Sequence, residues 1–167
     1  MRSKVRVHSN ATPIQIMKKL FLALAMMAAT LPALADGVCG FWKTIDDETH
    51  EPKSIVQIYE YQNKVYGRVV EILTKEPDAK AKLPGSPAIK GLDIIWDLTK
   101  DGNKYTGGEV LDPQKGKVYD CEIWCEKGNL IVRGKIAFIG RNQTWLPAKD
   151  YKPASKKAPT PKKPKLK

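Results

Sequence analysis

The chain has 167 residues, enough for one small domain and little beyond it. Its 29 Lys and Arg against 18 Asp and Glu give a net charge of +11, a balance that often accompanies nucleic-acid binding. The excess lies at the two ends of the chain, because residues 36–146 carry 16 basic and 17 acidic side chains. Together with the export signal described next, this distribution excludes nucleic acid as the expected partner.

Residues 17–35 have the pattern of a secretory signal peptide. A basic start is followed by an apolar run at residues 20–29, and Ala33 and Ala35 are the small residues that signal peptidase requires. The run is much shorter than the roughly 20 residues that span a bilayer, although an uncleaved membrane anchor is the alternative. We expect cleavage near Ala35 and a periplasmic or secreted product without a transmembrane segment.

The clearest strand pattern lies at residues 119–126, where apolar and polar side chains alternate with the period of two that is typical of a half-buried strand. A turn signal at residues 127–129 leads to a second alternating run at residues 130–138, so the two runs predict a β-hairpin. The predicted apolar face of the second run consists of Leu130, Val132, Gly134, Ile136 and Phe138.

Six further short strands are predicted. They span residues 40–45, 55–61, 64–73, 92–98, 105–111 and 141–146. Gly107-Gly108 interrupts one of them and indicates a β-bulge, and residues 76–90 are rich in Pro, Gly, Ala and Lys, which predicts an exposed loop. About eight short strands with regularly spaced turns are typical of a barrel or a sandwich, and we expect an all-β fold, a small antiparallel barrel.

The C-terminal segment, residues 147–167, consists mainly of Pro, Lys and Ala and predicts a disordered basic tail. It serves either as a solubilising tail or as a means of adhesion to anionic envelope polymers or lipid headgroups. We hypothesise that translation begins at Met17. The chain then divides into an upstream extension (residues 1–16), the signal peptide (17–35), a β domain (36–146) and the tail (147–167).

Several motifs in the predicted β domain resemble one bacterial family. They are residues 40–47, 52–56, 64–69, 91–95, 107–113, 116–121, 132–134 and 140–145. In this order they are similar to the exported family catalogued as domain of unknown function 2147. The resemblance implies a small periplasmic β domain and assigns no activity to it. Many members have a cysteine pair in the loop corresponding to residues 76–90, which this chain lacks.

A second resemblance is to lipocalin-like barrels. Gly40-Phe41-Trp42 matches the G-x-W pattern of their first strand, and the resemblance implies that a late arginine, here Arg141, stacks over Trp42. About eight antiparallel strands suffice to enclose one small ligand. A barrel filled by its own side chains is the alternative.

The three cysteines of the β domain allow one disulfide. Cys121 and Cys125 lie four residues apart on one strand, about 13 Å, whereas a disulfide needs Cα atoms within about 7 Å. In an oxidising compartment a disulfide would therefore join Cys39 to Cys121 or to Cys125. The alternation places Cys121 and Cys125 on the inward face, which favours buried thiols.

The sequence predicts no cofactor, no metal site and no enzyme. His50 is the one histidine beyond residue 35, and the acidic residues 46–48 beside it suit a solvated turn better than a calcium loop. Ser54 and Ser86 have no sequence signature of a catalytic triad.

Two hypotheses remain for function. The first is a barrel that binds a small hydrophobic or lipid-like ligand, with binding residues Trp42, Tyr66, Trp96, Tyr119, Arg141 and Trp145. The second is an envelope module that binds an anionic polymer or a partner protein without enclosing a ligand. Its interaction surface would be the outward Trp124 with Lys156, Lys157, Lys162 and Lys163.

Overall fold

The computed structural model describes residues 37–155 and 157–167, so the predicted upstream extension, the signal peptide and Lys156 lie outside the described residues. The described chain forms a closed antiparallel barrel in which each strand pairs with the next and β1 pairs with β8. The strands are β1 (Gly40–Ile45), β2 (Pro52–Tyr61), β3 (Lys64–Ile72), β4 (Asp93–Asp101), β5 (Lys104–Asp112), β6 (Lys117–Glu126), β7 (Asn129–Ile136) and β8 (Ile139–Pro147). The predicted all-β barrel of about eight strands is confirmed.

Tight turns close one end of the barrel. The β2–β3 turn has positive φ at Gln62 and Asn63, and the β6–β7 turn has positive φ at Lys127 and Gly128. Positive φ at both central residues matches the natural twist of an antiparallel pair, which explains why these two-residue connections form hairpins. At the same end Val38 is buried and its carbonyl oxygen accepts a hydrogen bond of 2.8 Å from the indole of Trp42.

The opposite end of the barrel, which we call the mouth, is formed by loops 46–51, 73–92 and 113–116 and by the β7–β8 turn at residues 137–138. Loop 73–92 differs from the predicted exposed loop, because Ala81, Leu83 and Ile89 are buried in the core. Its backbone bonds to the β5–β6 turn, where Lys82 N donates to the Pro113 carbonyl at 2.8 Å. Apolar side chains in this loop have a barrel wall to pack against, and that contact outweighs the polar composition of the loop.

Two details of the predicted hairpin need correction. β7 ends at Ile136, and Ile136 and Phe138 are exposed instead of continuing the inward face, because the strand reaches the mouth and turns there. Cys125 is likewise exposed, whereas Cys121 is buried as predicted. Cys125 lies near the end of β6, opposite Leu130 of β7.

The tail after Pro147 contains neither helix nor strand among its described residues, in keeping with its composition. It nevertheless contacts the barrel, unlike a freely disordered chain. The backbone N of Ala148 donates to the Phe41 carbonyl at 2.9 Å, and the carbonyl of Thr160 accepts a hydrogen bond of 2.9 Å from Arg68. Leu166 packs against the core cluster.

Within residues 37–155 and 157–167, the structure contains no helix long and apolar enough to cross a membrane.

Candidate functional site

The barrel encloses a cavity of about 470 Å³ that opens at the mouth. Each of the eight strands contributes at least one lining residue, so the cavity lies along the barrel interior rather than between a loop and the outer surface. The larger apolar side chains of the wall include Val69, Ile72, Ile89, Ile94, Val110, Leu111, Val132 and Trp145. Gly134 also lines the cavity, and because it has no side chain it leaves space between Tyr119 and Val110.

The polar lining residues lie mainly around the mouth, in loops 46–51 and 113–116 and at Arg141 and Gln143, and several of them pair with one another. The hydroxyls of Thr44 and Ser54 lie 2.8 Å apart and hydrogen bond to each other. The indole of Trp145 donates to the Gln143 side-chain oxygen at 3.3 Å. Because these groups satisfy one another, the apolar side chains of the barrel wall form the main unpaired contact surface below the mouth.

Arginine and amide donors converge at the mouth. An Nη of Arg141 lies 2.8 Å from a carboxylate oxygen of Asp47, and the side-chain nitrogen of Gln143 donates to the same oxygen at 3.0 Å. The Arg141 side chain is 69% exposed, so solvent reaches this pair. The two donors therefore form a site that accepts one carboxylate or a comparable acceptor group.

Loop 46–51 is held in place by Asp46. Its carboxylate accepts backbone hydrogen bonds from Thr49 at 2.9 Å and Glu48 at 3.0 Å, and it pairs with Lys53 at 3.2 Å. These backbone donors, followed by Lys53, hold the pKa of Asp46 well below its ordinary value. The predicted solvated turn is therefore a locally ordered loop that positions Asp47 beside Arg141.

Sequence reasoning missed the contribution of loop 73–92 to this site. Thr74, Ala79 and Ile89 line the cavity, so this loop forms part of its wall. The loop lies so close to the β5–β6 turn that a side chain at Gly116, whose φ is +66°, would overlap the Lys82 carbonyl oxygen. The sequence signal was the spacing of small apolar residues within an otherwise polar segment.

Of the six predicted ligand-binding residues, the structure brings Tyr119, Arg141 and Trp145 to the cavity wall. Trp42 is buried toward the closed end and lies outside the cavity lining. Arg141 does not stack over Trp42: β8 pairs with Trp42 through Pro147, six residues and about 20 Å along the strand from Arg141. That expectation from the lipocalin pattern is corrected.

Tyr66 and Trp96 lie on the outer surface of the barrel, under or beside the tail. The Tyr66 hydroxyl donates to Asp97 at 3.2 Å. Trp96 is only 1% exposed and its indole donates to Glu109 at 2.6 Å, while the Lys163 ammonium lies 4.9 Å from the ring centroid.

The buried carboxylate of Asp93 lies beneath the tail. The Asp93 carboxylate, which is almost fully buried, accepts two hydrogen bonds from Arg68 at 2.7 and 2.8 Å and one from the backbone N of Lys162 at 2.5 Å. The Tyr59 hydroxyl also donates to it at 3.1 Å. Hydrogen bonding to Asp93 raises the pKa of Arg68, so this guanidinium remains charged despite its partial burial.

The predicted interaction surface is divided between two places. Trp124 faces outward as predicted, but the ammonium of Lys104 covers its ring at 4.3 Å from the centroid. Lys157 is exposed, whereas Lys162 and Lys163 contact the barrel.

The three cysteines are free thiols in this structure. Burial raises the pKa of Cys39 to about 11 and raises that of Cys121 further, whereas the rise at the exposed Cys125 is smaller. Across the described ranges, no three His, Cys, Asp or Glu side chains are grouped so that they could hold a metal ion.

A family model described as "Uncharacterized protein conserved in bacteria (DUF2147)" matches residues 40–146. The chain belongs to this family. The match runs from the start of β1 nearly to the end of β8, so the DUF2147 domain of this chain is the barrel with its cavity. The tail lies beyond the matched residues. No curated protein matches the chain.

This DUF2147 barrel is also similar to the solved structure of protein HP1028 from the human pathogen Helicobacter pylori, which is described as belonging to the lipocalin family. The TM-score is 0.55 with 21% sequence identity, and the match covers 65% of this chain and 81% of that chain. At this identity the likeness concerns the fold alone, and it agrees with the eight-stranded closed barrel.

Proposed function

We propose that this DUF2147 barrel binds a small, mainly apolar molecule that carries one polar end group. The observation that carries the proposal is the cavity, which is lined by all eight strands and has Arg141 and Gln143 at its mouth. Its volume of about 470 Å³ falls in the range of known small-molecule sites, which are mainly apolar with a few placed polar groups.

In this arrangement the apolar body of the ligand lies against Val69, Val132 and Trp145. The polar end group lies at the mouth and replaces the Asp47 carboxylate as acceptor for Arg141 and Gln143. Asp47 accepts hydrogen bonds from these donors in this structure, and an acceptor on the ligand would make the same hydrogen bonds. The proposed ligand class is therefore a lipid-like molecule with an anionic or acceptor end group.

Titration with an environment-sensitive fluorescent fatty acid tests this proposal directly. A Cβ added at Gly134 would lie 3.5 and 3.6 Å from the side chains of Tyr119 and Val110, without a close contact to backbone. Because Gly134 lines the cavity, the rest of the Gly134→Leu side chain would take up cavity space. We expect Gly134→Leu to weaken probe binding by at least about tenfold. Thr144→Leu, at an exposed position of β8 four residues past Gly140, is the matched control. Equal binding by wild type and Gly134→Leu, or no saturable binding by wild type, would refute the proposal.

The Arg141→Ala variant tests the contribution of the polar end group to affinity separately from that of the apolar body. Because Arg141 reaches only the mouth, this variant should lose affinity for the fatty-acid probe while keeping its affinity for an uncharged probe of the same chain length. An equal loss for both probes would show that Arg141 acts on barrel structure and not on the end group. The melting temperature of the variant is the check on folding.

We propose that the cavity binds a ligand and does not catalyse a reaction, and that the protein is exported. The polar groups of the cavity bond to one another, which suits holding a molecule more than transforming it. Export is supported by the signal-peptide pattern at residues 17–35. N-terminal sequencing of the protein from cell fractions checks this point, and a product in the periplasm that begins near residue 36 is the expected result.

The alternative function, an envelope module without an enclosed ligand, has weaker support. Lys104 covers Trp124, and Lys163 pairs with Glu109 at 2.8 Å, so part of the proposed surface is already in use. Salt-sensitive retention on an immobilised anionic polymer by a chain that binds no fluorescent fatty acid would favour the alternative.

A further inference from the structure

The β7–β8 hairpin ends in an apolar tip, which we define as residues 136–139. Ile136, Phe138 and Ile139 are 62%, 91% and 71% exposed, and they are the most exposed large hydrophobic residues of the described chain. Ala137 between them has a positive φ of 53°, and only two residues connect the paired Ile136 and Ile139, so the turn is tight. The barrel does not need apolar side chains at these positions, because the β7–β8 ladder already ends at the Ile136–Ile139 pair.

The apolar tip stands at the mouth of the cavity. Gly134 and Arg141, which pair with each other two residues inside the tip, both line the cavity. Whatever surface the tip contacts therefore lies next to the cavity opening.

The size and shape of the tip favour a lipid surface over a protein partner. Three side chains at this exposure offer on the order of 400 Å², about half of what one partner buries in a stable protein interface. A narrow protruding turn instead suits shallow insertion between lipid headgroups, where each apolar side chain gains its transfer free energy without a complementary surface.

The charges beside the tip agree with this choice. Residues 129–147 contain Arg133, Lys135 and Arg141 and no acidic residue. Lys135 and Arg141 pair with Glu122 and Asp47 on neighbouring elements, so their net attraction to anionic lipid is small. Insertion should therefore depend on the apolar side chains and only weakly on salt.

We propose that the apolar tip inserts into the surface of a lipid bilayer and holds the cavity mouth against it. This inference extends the proposed function, because a lipid-like ligand could then pass between membrane and cavity without crossing water. Insertion itself does not require a ligand in the cavity, so the two proposals can fail separately.

Fluorescence quenching by brominated lipid tests the insertion at the tip itself. Phe138→Trp places an indole at the tip, and Leu146→Trp places one at an exposed apolar position near the opposite end of β8, distant from the mouth. We expect vesicles of brominated phosphatidylcholine to quench Phe138→Trp beyond wild type and to leave Leu146→Trp as wild type. Equal quenching of the two variants overturns the proposal.

A second measurement is flotation with vesicles of phosphatidylcholine and of an equal mixture with phosphatidylglycerol. Phe138→Asp should lower the partition coefficient at least about tenfold in both, with Leu146→Asp unchanged. Loss of binding in high salt by wild type would point to the Lys-rich tail and contradict the proposal. So would a dimer in light scattering that Phe138→Asp abolishes, because it would make a second copy the occupant.

Binding of the fluorescent fatty acid in lipid-free solution separates the two proposals. Phe138→Asp should keep wild-type affinity for that probe, since Phe138 lies outside the cavity lining. Quenching of Phe138→Trp by brominated lipid without any fatty-acid binding would leave the insertion standing and refute the ligand proposal. The reverse result would refute insertion alone.

Discussion

At the scale of single residues, the position of each group along its strand decides what it does. Cys121 lies in the middle of β6 and is 1% exposed, whereas Cys125, four residues later, is exposed near the end of the strand. Gly37, two residues before Cys39, lies against the Cys125 sulfur, where an added Cβ would be 3.5 Å away. Cys39 and Cys125 are also close enough for the charge of one thiolate to raise the pKa of the other.

We therefore predict that oxidation joins Cys39 to Cys125 and leaves Cys121 reduced. Peptide mapping after mild oxidation of the folded protein measures the linkage, and Cys121→Ser is the control that should oxidise like wild type. A Cys39–Cys121 peptide would contradict the prediction.

In the reduced protein Cys125 should be alkylated first at pH 8, because burial raises the pKa of Cys39 to about 11 and lowers its thiolate fraction.

At the scale of secondary-structure elements, a bulge in β5 shapes one side of the barrel. The predicted bulge at Gly107-Gly108 is confirmed, because the β5–β6 register shifts there and Gly107 has a φ of +74°. Opposite it, Asp97 of β4 also has positive φ. The two irregular segments approach so closely that a side chain at Gly108 would overlap the Trp96 carbonyl oxygen and lie 2.7 Å from Leu98 N.

We predict that Gly108→Ala lowers the free energy of unfolding by about 3 kcal/mol, the upper end of the usual penalty for overpacking. The clash is with backbone, which cannot rotate away as a flexible side chain would. Gly134→Ala is the matched control, because its Cβ would make ordinary contacts of 3.5 Å with Tyr119, and it should be neutral or slightly stabilising. Denaturant unfolding measures both, and similar values for the two variants would contradict this account.

At the scale of the whole molecule, the basic tail covers outer residues that would otherwise face water. Trp96 is buried although it points away from the barrel interior, and the Lys163–Glu109 pair at 2.8 Å lies over it. Hydrogen bonds from Lys163 and then from Trp96 lower the pKa of Glu109. A lowered folded pKa means that this contact stabilises the tail above the unfolded pKa and is lost as pH falls through the folded value.

We predict that acidification below about pH 4, the ordinary range of a glutamate, releases the tail from Trp96 and shifts its fluorescence to longer wavelength. Glu109→Gln should show the released spectrum already at neutral pH and lose this acid transition. Lys157→Gln, at an exposed tail position, is the control for a general charge effect. An identical acid transition in wild type and Glu109→Gln would rule out this contact as its cause.

The sequence by itself determined the strands, most of the turns and the bulge, because alternation with period two and the Gly, Asn and Pro signals are local properties of the chain. It also predicted a binding role for Tyr119, Arg141 and Trp145, which the structure places on the cavity wall. Only the tertiary structure decided that loop 73–92 forms part of the cavity wall, that Trp96 lies beneath the tail and that Phe138 stands exposed at the mouth. These features depend on which segments come into contact when the barrel closes. The composition or periodicity of a single segment does not specify such long-range contacts.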